Sequence, residues 1–129
     1  MPQNIPSLWP SAIAEEPNLR TPTAILKEQA AFLAQMTKNL VQGQLKTNKQ
    51  GDGLEILLFL VVPALQNYMT SLLEVYHPVE LYPATVSSRA LGAPRTAEDE
   101  GSFVAIVKEV LNSDYTKKLL RALLAQARS

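Results

Sequence analysis

The 129-residue sequence contains no cysteine, which excludes disulfides, thiolate metal sites and a cysteine nucleophile. It has one histidine, His77, so a catalytic triad has a single position to draw on, and a zinc site would hold one of the several His or Cys ligands it favours. No serine stands in a G-x-S-x-G frame. No charge of either sign is in excess: Lys+Arg and Asp+Glu both number 12, and the basic field of a typical nucleic-acid binder is missing. No apolar run reaches the roughly 20 residues of a membrane span. The N-terminus, MPQNIPSLWPSAIAEEP, has no basic segment followed by a long apolar one, so no secretory signal is read and a cytoplasmic protein is expected.

What the chain does have is one strongly apolar stretch, residues 54–65 (LEILLFLVVPAL), in which Glu55 is the only charge. Such a run has to be buried, and the segments around it have to cover it. A length of 129 residues suits one domain with one core.

Ahead of the run, residues 1–20 carry prolines at 2, 6, 10 and 17, which removes backbone donors and favours an extended arm. Leu8 and Trp9 are its candidate contact residues. Trp9 either folds back to pin the arm on its own domain or docks on a partner or second subunit. Thr21-Pro22 then reads as a helix start, with threonine at the N-cap and proline at the first helical position. The stripe Leu26, Ala30, Leu33, Met36, Leu40 predicts a helix of about 20 residues closed by Gly43 as a left-handed C-cap.

Residues 44–50 (QLKTNKQ) read as a polar edge strand whose lysines discourage pairing with other chains. Gly51-Asp52-Gly53 is the hairpin turn into the buried strand 54–62. Leu54–Tyr76 admits two readings: partly helical, since Leu65, Tyr68/Met69, Leu72 and Tyr76 fit a helical stripe, or two strands about a bend near 63–67. Pro63 and the β-branched Ile56, Val61 and Val62 favour the strands, the second ended by His77-Pro78, and 80–86 is a short edge strand restricted by Pro83. After a loop, Thr96-Ala-Glu-Asp99 resembles a capping box opening a helix with Phe103, Ile106, Val107 and Val110 inward. Asn112-Ser113 breaks it, and a last helix follows with Leu119, Leu120, Leu123 and Leu124 inward. The expected architecture is α+β: a long N-terminal helix packed on a three- or four-stranded antiparallel sheet, then a C-terminal αα-hairpin. Residues 1–20 form the arm and 21–129 a single domain.

Candidate chemistry is sparse. The GDG turn lacks the GK[ST] ending and following helix of a phosphate loop. Glu98, Asp99 and Glu100 point about 100° apart on a helix and do not converge on one metal ion; they suit its positive end instead. Lysines 38, 46 and 49 and the basic C-terminal residues have no interleaved aromatics for base stacking, so they read as solvated faces. No cofactor is implied. Two functional classes stay open. One is a non-enzymatic protein–protein interaction or assembly subunit, adaptor-, antitoxin- or immunity-like, with a protein partner or homo-oligomer. The other is a small-ligand binder or enzyme with a pocket between sheet and helices near Tyr68, Tyr76, His77 and Tyr82. The 54–65 run favours the first, because successive apolar positions put both faces of its strand out of water. If the helices all lie on one face, the other is left apolar and exposed, as interfaces are.

Overall fold

In the computed structural model, which describes residues 5–14 and 19–129, the apolar run becomes the second strand of a five-stranded antiparallel sheet. The elements are α1 (Pro22–Met36), β1 (Gln42–Gln50), β2 (Gly53–Val62), β3 (Tyr68–Pro78), β4 (Ala84–Ser87), β5 (Arg95–Ala97), α2 (Glu100–Leu111) and α3 (Asp114–Ala127), with short 3-10 turns at Ser11–Ala14 and Pro63–Leu65. Strand order follows chain order, a simple meander. The α+β class, the hairpin across Gly51-Asp52 and the C-terminal helical pair are as the residue pattern indicates.

Each joint has a local cause. Gly51 has φ +58° at the first turn position, the backbone that glycine adopts at no steric cost in a two-residue hairpin. It sets Gln50 opposite Gly53 and, by counting back, Lys46 opposite Leu57. Helix α1 opens as expected, with the Thr21 hydroxyl accepting from the Ala24 N–H and Pro22 at N1.

It ends earlier than the leucine stripe suggests, at Met36. The Thr37 hydroxyl accepts from the Val41 N–H and lies 2.9 Å from the Leu33 and Val41 carbonyls. Lys38 and Asn39 then take left-handed backbone, φ 52° and 66°. Gly43 is therefore a β1 residue, not a cap. Its role is close approach: a Cβ there would lie 2.7 Å from the Ala30 Cβ and 3.0 Å from the Ala30 Cα, so glycine lets α1 lie directly on β1.

The sheet has five strands rather than three or four because Arg95–Ala97 pairs with β4; three residues are too few to show alternation in a sequence. Thr96 lies in that strand, so the capping box is not the N-terminus of α2. Asp99 is the N-cap, its carboxylate accepting from the Ser102 N–H at 2.8 Å and the Ser102 hydroxyl at 2.5 Å. Ser113 caps α3 by accepting from the Thr116 N–H, and both hydroxyls donate to the Val110 carbonyl at 2.7 Å.

All three helices lie on one face of the sheet. Ile56, Leu58, Leu60 and Val62 of β2, Leu73 and Val75 of β3, and Val86 of β4 form one cluster with Leu26 of α1, Phe103, Val107 and Val110 of α2, and Leu123 of α3. Each such side chain contributes about 1.5–3 kcal/mol relative to exposure, so this covered face holds most of the stability. On β3 the alternation is interrupted: Leu58 pairs with Leu73 but Phe59 with Ser71. Leu72 is the extra residue of a β-bulge, and Leu72 and Leu73 are both buried.

Candidate interaction surface

Among the described residues, no helix lies on the opposite face of the sheet. Its residues follow from the register, since directly paired residues in antiparallel strands share a face. Four rows cross it. The first is Gln42–Val61–Met69 and the second Gln44–Phe59–Ser71. The third is Lys46–Leu57–Glu74–Ser87, and the last Asn48–Glu55–Tyr76–Thr85–Thr96. An apolar stripe, Leu57, Phe59 and Val61, runs down the middle strand, extended sideways by Met69 and Tyr76. Leu57 and Phe59 are half-buried by their neighbours, and Met69 and Tyr76 are exposed. Val61 is buried between the flanking strands but stands outside the core cluster. Polar side chains edge the stripe on the β1 and β4 sides.

The arm is the second apolar surface. Ile5, Leu8, Trp9 and Ile13 are all exposed, Leu8 at 86% and Trp9 at 77%. Of the two sequence readings of Trp9, pinning onto its own domain is not what the structure shows. Residues 1–4 and 15–18 of the arm lie outside the described residues. Its root is held at Arg20. The Arg20 N–H donates to Glu100 Oε1 at 3.1 Å, its carbonyl accepts from the Tyr82 hydroxyl at 3.3 Å, and its guanidinium pairs with Glu28.

The four residues read from the sequence as a ligand pocket are not brought together. Tyr68 and Tyr76 lie eight positions apart on β3, about 27 Å at the usual rise, with Tyr68 at the strand's outer end. Tyr76 lies on the open face, its ring over Gly53, where a Cβ would meet the tyrosine hydroxyl at 2.7 Å. His77 points the other way, is 3% exposed, and donates from Nδ1 to the Pro78 carbonyl at 2.7 Å. That makes it a packed, hydrogen-bonded residue. Tyr82 stacks edge-on against Phe103, ring centroids 6.2 Å apart. Burial, helped by Glu100 and Asp99 and opposed by Arg20, holds its hydroxyl above the ordinary tyrosine pKa.

Cavities lie elsewhere. One of about 650 Å³ sits between the part of β3 that β4 is too short to reach and the loop carrying Arg89 and Pro94; there the Ser88 hydroxyl donates to the Leu72 carbonyl at 2.9 Å. Two of about 220 and 240 Å³ form a trough between α1 and the C-terminal helices, with Val104, Phe32 and Met36 on its rim. Among the described residues no group of three His, Cys, Asp or Glu side chains is placed to hold a metal, and no helix is long and apolar enough to cross a membrane.

Comparison with protein-family models, curated proteins and solved structures finds no match for this chain.

The apolar stripe was half visible in the sequence. The 54–65 run required two buried faces, and the two-residue turn placed β1 against it. Met69 and Tyr76 were not assignable, because the bulge at Leu72 switches which β3 positions share their face and nothing in YMTSLLEVYHP marks it.

Proposed function

We propose that this chain is a non-enzymatic interaction protein, an adaptor or assembly subunit, that engages a protein partner through the helix-free face of its sheet. One observation carries this reading: all three helices cover the same face, and the uncovered face has Leu57, Phe59 and Val61 in line on its middle strand with Met69 and Tyr76 beside them. Contiguous apolar surface rimmed by polar side chains is what docking surfaces present. Leu8 and Trp9 add an aromatic anchor on a proline-stiffened arm, a segment that loses little freedom on binding.

A photocrosslinking amino acid at position 59, in cells that make the chain, tests the reading. The expected result is a covalent adduct with a polypeptide identified by mass spectrometry, with none from a control at Lys117 on the solvent side of α3. Equal or absent labelling at the two positions would count against the open face. Trp9→Ala is expected to weaken partner binding while leaving thermal stability unchanged.

A further inference from the structure

Resting on that reading, we infer that the partner on the open face is a second copy of this chain, stacked sheet to sheet about a twofold axis running along β2. The placement of charge on the face selects this arrangement. Lys46 and Glu74 flank Leu57 in the same row, one on each side. Both are exposed, and neither has an ion-pair partner among the described residues. They stand two strands apart, about 9.6 Å between backbones, with Leu57 between them, and do not pair with each other.

In a face-to-face pair the twofold axis lies in the plane between the sheets, and the same patch serves both copies. An axis along β2 exchanges left and right within each row. Lys46 of one copy then stands over Glu74 of the other, and Glu74 over Lys46, with Leu57 on Leu57 and Phe59 on Phe59 at the centre. The same exchange brings Gln44 over Ser71, Asn48 over Tyr76 and Gln42 over Met69, amides meeting hydroxyl, phenol and thioether. An axis across the strands through the same row would instead place Lys46 on Lys46 and Glu74 on Glu74. Sheets stacked this way sit about 10 Å apart with strands nearly aligned, a gap that a lysine and a glutamate side chain bridge. One contact is unfavourable: Glu55 lies on the axis strand and faces Glu55 at the hairpin end.

Three strands about 4.8 Å apart and four rows about 7 Å apart give a shared patch of roughly 400 Å² in projection. That is small beside the roughly 800 Å² of accessible surface each partner buries in a standard interface, so the dimer is expected to dissociate in the micromolar range.

Sedimentation equilibrium between about 5 and 500 µM, the span such a small interface calls for, is the measurement, with circular dichroism to confirm folding of each variant. The wild-type chain is expected to dimerise. Lys46→Glu and Glu74→Lys, both exposed, should each weaken association about tenfold, since both symmetry-related pairs are lost together. The double variant K46E/E74K should restore it, and Glu55→Gln should tighten it severalfold. A dimer indifferent to the single charge reversals, or unrescued by the double variant, overturns the arrangement. A strictly monomeric chain overturns the second copy as partner. If position 59 still crosslinks to a different polypeptide, the interaction reading stands without it; if it crosslinks to nothing, both fall.

Discussion

Strand β2 shows the two faces of the sheet one residue apart. Ile56, Leu58, Leu60 and Val62 meet helices and are nearly lost to water, while Leu57 and Phe59 between them have only the strand's neighbours beside them. Residue type does not separate the two sets, since both are leucine-rich and aliphatic or aromatic. What separates them is that the three helices among the described residues all lie on one side. On the reading proposed above, the uncovered side of this strand is where a partner docks.

The sharpest way to break this contrast is to delete one large aromatic from each face. Phe103→Ala, fully buried under the covered face, is expected to lower unfolding free energy by about 3–5 kcal/mol. Phe59→Ser on the open face should cost the monomer less than about 1 kcal/mol, the size of an ordinary surface change. Urea titration of both at low protein concentration reads the difference, and equal losses would mean that the open face is as structural as the other. Gly43→Val is next in size. Its Cβ meets the Ala30 backbone, so α1 must lift from β1, at about 1–3 kcal/mol, whereas Gln44→Val, one residue on and facing the opposite way, should change little.

Ser113→Ala removes the α3 cap and a donor to the Val110 carbonyl, and about 1 kcal/mol of stability should go with them. The smallest effect is on the acid side. The Ser102 hydroxyl, and then its N–H, hold Asp99 below the usual carboxylate range. The folded state therefore favours the anion, a contribution present above the unfolded pKa near about 3.9 and lost as pH falls through the lower folded value. Melting curves should show α2 loosening below about pH 4, and Asp99→Asn, still a competent cap, should flatten that dependence.

Much of this was legible in the chain because local rules and burial agreed. Thr21-Pro22, Gly51-Asp52, the 54–62 run and Asn112-Ser113 each act through their own backbone preferences, and the structure keeps all four. The failures have two causes: local turns and strand geometry that the residue types do not announce, and pairing with neighbouring strands. Leu40 and Val41 match a helical stripe, yet Thr37 closes the turn before them and Val41, just ahead of β1, is buried in the core. Thr96 and Glu98 imitate a cap that Asp99 supplies, since β4 recruits Thr96 as a strand. The pocket residues Tyr68, Tyr76, His77 and Tyr82 are near one another in the chain but are dispersed by a period of two along β3 and by the turn that follows it. The need to bury both faces of the 54–62 strand was legible, but not that all the helices would take one side, nor which residues line the other.

The extra residue at Leu72 gives β3 two reading frames. Counting outward from His77, the residues on the helix-covered side of the sheet are odd-numbered as far as Leu73; beyond it they are even-numbered, Leu72 and Thr70. A single-residue deletion in a strand ordinarily turns every later side chain to the wrong side. Here, removing Leu72 itself would bring the ladder back into step, with Leu73 still opposite Leu58 and Ser71 opposite Phe59. The same deletion at Val75 would drive Glu74 toward the core or Tyr76 away from the surface it shares with Phe59. The strand thus has one position where its length can change without changing what it shows to either side.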